Sequence, residues 1–172
     1  MSPNVRFASL LLLALAFPAT AAAPPWPGIE YTGHAAHVEG VAFSPDARMM
    51  ATSDDGGTVL VSLFPGPKRF AKLEGDGFTQ AAFSPDGEAL VAGSDQQVYV
   101  WRRPLGEFVR KLGSPGPVLA VTVSRNNVIY AAGGGDFSIH RWLLPKLEEV
   151  EPLRGHTDEV YVVRVSPNGS MI

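Results

Sequence analysis

Phe43-Ser44-Pro45-Asp46 and Phe83-Ser84-Pro85-Asp86 are the same four residues set 40 positions apart. Looser copies follow at Ser124-Arg125-Asn126-Asn127 and Ser166-Pro167-Asn168-Gly169, so the four serines step by 40, 40 and 42. A period of that length marks a repeat architecture, in which each unit buries its apolar face only against a neighbour. A second marker keeps the same beat. His34 of Gly33-His34 and His156 of Gly155-His156 each stand ten residues before their serine, and Gly113-Ser114 holds that slot in the third unit. Trp101 and Trp142 close two of the units.

Between the markers run short stretches rich in Val, Phe, Ala and Ile, bounded by Gly, Pro, Asn and Asp, which is the pattern of half-buried strands. It predicts strands at 39–43, 49–53, 58–64 and 69–73, then at 78–83, 89–93, 97–102 and 108–112. A third set falls at 118–123, 128–132, 138–143 and 149–153, and a thirteenth strand at 160–165. Pro45 and Pro85 pre-set φ for the second position of a tight turn, Asp46 and Asp86 suit the third, and Gly87 relaxes the exit. In the third copy Asn126-Asn127 tolerates left-handed dihedrals instead.

This arrangement resembles the WD-repeat (WD40) β-propeller family, of a bacterial secreted or periplasmic type, over roughly residues 29–172. The signature dipeptide is altered: Leu63, Arg102 and Leu143 stand where Asp follows Trp, and Ser62 replaces the first Trp. The resemblance implies an all-β propeller of three blades plus the start of a fourth, an incomplete ring. The units are a lead-in at 24–32, blades at 33–74, 75–112 and 113–154, and a partial blade at 155–172. By the register, residues 29–31 fill an outermost-strand slot with nothing before them, and 160–165 an innermost slot with nothing after. Rings close with about four to eight blades, so the expectation is the N-terminal part of a longer protein, or a gene broken by a stop. A short chain that closes by oligomerising is the alternative.

Residues 1–23 read as a secretory leader. Arg6 is a short positive region, 7–17 are apolar, and the small residues before Pro24 place cleavage near Ala21. The apolar run is too short to span a bilayer comfortably. The expected location is outside the cytoplasm, in a bacterial periplasm. Without Arg6 the chain keeps 13 basic against 17 acidic side chains. That mild acidity, with no basic cluster and no amphipathic helix, argues against nucleic acid and against membrane insertion after leader cleavage. The absence of cysteine excludes disulfides, thiol catalysis, thiolate zinc sites and covalent haem attachment in this stretch. No cofactor or metal is expected.

In the WD-repeat family a buried relay joins the Gly-His histidine, a strand-b hydroxyl, a carboxylate between strands b and c, and the strand-c tryptophan. Here the first blade offers His34, Thr52 and either Asp54 or Asp55, without the tryptophan. The second offers Asp95 and Trp101, and the third Asp136 and Trp142 with Ser114 for histidine. His34, Trp101, Trp142 and His156 are therefore the expected structural residues. His34-Ala35-Ala36-His37 has the letters of a metal motif but lacks a third ligand and a helix. Gly133-Gly134-Gly135 joins strands and has no helix behind it to cradle phosphate. His140 has no serine and acid arranged beside it as a catalytic set.

The loops expected on one face of the propeller, the usual docking face of the family, carry His37, Asp54, Asp55, Asp76, Asp95, Gln96, Asp136 and Asp158, with Glu159 beside them. Phe78 and Val118 stand at strand entrances there. An acidic platform of this kind suits a basic loop or peptide of a protein partner. Turn chemistry alone also favours Asp at such positions. The expected function is a non-enzymatic protein-binding scaffold. The alternative that the resemblance implies is an accessory propeller of a larger envelope redox protein, fused to a c-type cytochrome beyond residue 172.

Overall fold

The computed structural model describes residues 29–103 and 107–172; the leader read at 1–23 and the first part of the lead-in lie outside them. The first sheet is built from β1 (Val38–Phe43), β2 (Met49–Asp54), β3 (Thr58–Leu63) and β4 (Arg69–Glu74). The second holds β5 (Phe78–Phe83), β6 (Ala89–Ser94), β7 (Gln97–Arg102) and β8 (Glu107–Gly113). The third holds β9 (Val118–Val123), β10 (Val128–Gly133), β11 (Ile139–Leu143) and β12 (Glu148–Leu153). Each sheet is a four-stranded antiparallel meander in chain order, joined to the next by a short loop. Twelve strands thus fall within a residue or two of the expected positions, and they form three blades of an open ring.

The turn that reveals the period is built the same way four times. The backbone N–H of Ala47, Gly87, Asn127 and Gly169 donates to the carbonyl of Ser44, Ser84, Ser124 and Ser166, at 2.8–2.9 Å. Those four donors all have φ between 54° and 74°. Gly87 and Gly169 take that left-handed conformation freely and Asn127 tolerates it, whereas Ala47 takes it at some cost. Ser44 and Ser84 also cap the turn through their hydroxyls, which donate to Asp46 and Asp86 and accept from the N–H of Met49 and Ala89.

Alternation along the middle strands sends side chains to both neighbours, so each interface between blades is a core of its own. Leu90, Ala92 and Trp101 face the first blade and pack with Met49, Ala51, Val59 and Val61. Val91, Val98 and Val100 point the other way and pack with Val121, Ile129 and Trp142 of the third blade. Every residue of β6 is buried as a result. A fully buried Val or Leu side chain contributes about 1.5–3 kcal/mol, and with no cysteine in the chain these contacts and the ladders carry the fold. At Gly133 the backbones come so close that an added Cβ would lie 1.6 Å from the Pro117 carbonyl oxygen.

Two expected strands are absent. Residues 160–165 lie against the far side of the third blade, where Val160 and Val163 are buried with Ala120, Tyr130 and Ile139. They are nevertheless not a strand, and one bond from the Val160 N–H to the Gly133 carbonyl (3.3 Å) ties them to β10. Residues 29–31 are likewise not a strand. In both cases the residues have strand character but face no ladder partner among the described residues, and a strand is a property of the pair. The Ser166 turn forms even so, its N–H donating to the Met171 carbonyl at 2.9 Å.

Candidate functional site

The Gly-His histidine of the first blade fills the post expected of it. His34 Nδ1 donates to Asp54 Oδ2 at 2.5 Å, and Nε2 meets the Thr52 hydroxyl at 2.7 Å. Asp54 also accepts from the Thr58 N–H at 2.7 Å, which pins the loop between β2 and β3. Burial opposes the charge on Asp54, but these bonds, His34 first among them, hold its carboxyl below the usual carboxylate range. The choice between Asp54 and Asp55 is settled by geometry. Asp54 is 1% exposed and its oxygens are used within the blade, so it leaves the set of docking residues. Asp55 is exposed and accepts from the backbone N–H of His37 (3.0 Å), with the His37 ring at 3.4 Å. His37 is a surface residue.

Three of the expected docking acids come together at the mouth between the first two blades. Asp55 follows β2, Asp76 lies between β4 and β5, and Asp95 follows β6. With Glu39 of β1 they surround a cleft of about 400 Å³ that is also lined by Gly77, Phe78 and Thr79. Phe78 is 1% exposed and forms an apolar floor, its ring packed edge-on against Tyr99 and Trp101. Gly75 lets the β4–β5 loop lie directly on these rings, since a Cβ there would be 2.4 Å from Phe78 and 2.8 Å from Tyr99. Asp76 accepts from the Tyr99 hydroxyl at 2.5 Å. The sequence reading missed Glu39 as a member of this set. Its place at the start of the innermost strand, beside the same mouth, is the signal that was there to be used.

The remaining candidates sit elsewhere. Asp136 lies at the third blade, 3.1 Å from His140 Nε2 and 3.9 Å from Arg154 Nη1. Burial works against its charge, but donation from the Ser138 N–H and from His140 outweighs it and keeps the carboxyl below its ordinary value. Gln96 and Asp158 are exposed, Asp158 accepting from the Glu159 N–H at 2.8 Å. Trp101 and Trp142 are buried as expected. His156 is not: it is exposed, because the described chain brings no strand-b hydroxyl or loop carboxylate against it. His140 lies on the face of β11 that packs on the second blade, stacked on Trp142 with ring centroids 6.0 Å apart. Its Nδ1 is 3.4 Å from Glu149.

Among the described residues no group of three or more His, Asp or Glu is placed to hold a metal ion, and no helix is long and apolar enough to cross a membrane.

Comparison with known proteins agrees with this geometry. The family model described as "WD domain, G-beta repeat" matches residues 27–61 and 68–102. Periodic tryptophan protein 2 of Saccharomyces cerevisiae is 28% identical over 109 residues, 61% of this chain and 12% of that protein. The serine-threonine kinase receptor-associated protein of Gallus gallus is 21% identical over 140 residues, 81% of this chain and 40% of its own length. Among solved structures, the WD40 repeats of RRP9 superpose with a TM-score of 0.70 at 17% identity, over 74% of this chain and 42% of theirs. The chain therefore spans less than half the length of each of these relatives. Two matched WD repeats within residues 27–102, the recurring Ser-Pro-Asp turn and three four-stranded blades packed face to face give this chain WD40 repeats in its first two blades and the fold of WD40 propellers, as an open ring.

Proposed function

We propose that this chain is a non-enzymatic protein-binding scaffold whose docking surface is the acidic cleft between the first two blades, and whose partner presents a basic loop or peptide. The observation that carries this reading is the convergence of Glu39, Asp55, Asp76 and Asp95 from four separate elements onto one cleft with the Phe78 ring beneath it. Carboxylates around an apolar floor match a Lys or Arg side chain, whose methylene stem packs while its charged end pairs. Opposite charge at such a rim mainly raises the association rate and selects the partner. The relative whose name calls it receptor-associated supports a binding role in kind. The leader read at 1–23 supports a location outside the cytoplasm.

Binding of a fluorescent Arg/Lys-rich peptide of about ten residues, followed by anisotropy, tests the proposal. The full chain is expected to bind at low ionic strength and weaken as salt rises, because rim pairs are screened within about 8–10 Å at physiological salt. Reversing Asp55, Asp76 and Asp95 to Lys should lower the affinity at least tenfold. Equal binding by the reversed variant would remove the cleft as the docking surface.

A further inference from the structure

The relay that His34 builds in the first blade has no histidine to build it in the second or third, and Asp95 of the second blade is exposed, yet one loop carboxylate beside each of these blades is held: Asp76 of the β4–β5 loop and Asp136 of the β10–β11 loop. Cross-strand pairing shows how. In the first blade Thr52 of β2 faces Leu60 of β3, and Thr52 supplies the hydroxyl for His34. The corresponding pairs are Ala92 with Tyr99 in the second blade and Ala131 with His140 in the third. The polar member has crossed from strand b to strand c, and alanine opposite it leaves room for a ring. Tyr99 and His140 each stand two residues before a buried tryptophan and stack on it, at 5.6 Å and 22° on Trp101 and at 6.0 Å and 25° on Trp142. Each then reaches an acid of a loop on the docking face: the Tyr99 hydroxyl to Asp76 at 2.5 Å and His140 Nε2 to Asp136 at 3.1 Å.

We propose that Tyr99 and His140 are positioning residues that latch the acidic loops of the second and third blades, replacing from strand c the absent Gly-His histidine. The tryptophan fixes the plane of each ring, so the polar tip of the ring has one place to go and the loop acid is held there. Where a histidine fills the Gly-His slot, the strand-c position is free to be apolar, as Leu60 is. For Asp76 the latch also fixes one carboxylate of the cleft, although the latch stands whether or not that cleft docks a partner.

Amide hydrogen exchange on the full-length chain separates this role from simple packing. Two loop amides report it, because Gly75 N–H donates to the Gly57 carbonyl (2.9 Å) and Gly134 N–H to the Pro117 carbonyl (3.2 Å). Tyr99→Phe keeps the stacked ring and removes only the hydroxyl. It should speed exchange around Gly75 about tenfold while Gly134 and the amides of β6 stay unchanged. His140→Phe should do the converse, loosening Gly134 and sparing Gly75. Asp76→Ala, made from the acid side, should reproduce the Tyr99→Phe pattern. Unchanged loop exchange in the two ring variants would overturn the proposal, and so would uniform loosening of the whole blade, which would show a packing role. Peptide affinity is not the readout, so failure of the docking reading cannot be mistaken for failure of the latch.

Discussion

Replacing Trp101 by alanine is expected to destabilise the protein by about 3–5 kcal/mol, the usual cost of emptying a large buried aromatic site. The indole is 2% exposed. It stacks on Tyr99 and meets Phe78 edge-on at 5.7 Å, and it shares a core with Met49, Ala51, Val59 and Val61 of the neighbouring blade. The cavity would therefore open between two blades, where the antiparallel ladders of neither blade can close it. Since a domain of this size is stable by about 5–15 kcal/mol in all, the loss is a large share of the total. Urea unfolding followed by circular dichroism should show the midpoint falling sharply. A change below about 1 kcal/mol would mean that the interface between the first two blades is not the core described.

Asp54→Ala is expected to cost a comparable amount, about 3–5 kcal/mol, because it breaks a buried hydrogen-bonded pair and strands the partner. His34 and Asp54 side chains are 9% and 2% exposed, so water cannot take over the lost bonds. The pH dependence gives a second handle. The carboxyl of folded Asp54 is held below its ordinary value of 3.8. Its contribution is therefore fully present above that value and is lost as pH falls through the lower, folded one. The stability gap between the parent protein and Asp54→Ala should be wide at neutral pH and narrow in strong acid. A gap that stays the same at both would show that the carboxylate is not the stabilising species.

The blades were legible in the sequence because their signals are local. Turn chemistry at Ser44-Pro45-Asp46 and the β-branched runs on either side act within a few residues, and they placed twelve strands to within a residue or two. What depended on a partner in the third dimension was not legible. Residues 160–165 carry Val-Tyr-Val-Val-Arg-Val, a sequence with every strand preference, but they face no ladder among the described residues and form no strand. The choice between Asp54 and Asp55 turned on one position at the end of β2, where a single step moves a side chain from the blade interior to the surface. Tyr99 and His140 looked like ordinary strand residues until cross-strand pairing set each opposite an alanine. Loop type groups the acids expected at a docking face, and only the packing of blades divides them into a cleft at the first interface and a separate set at the third blade.

Docking at the cleft between the first two blades, as proposed, has a residue-level signature. That signature is read by titrating the isotopically labelled full-length chain with the basic peptide and following backbone amide resonances. Shifts confined to the rim of the cleft, at Asp55, Gly77, Thr79 and Asp95, are the expected result. Shifts centred instead on the Ser-Pro-Asp turns at Ala47 and Gly87, at the other end of the strands, would contradict it.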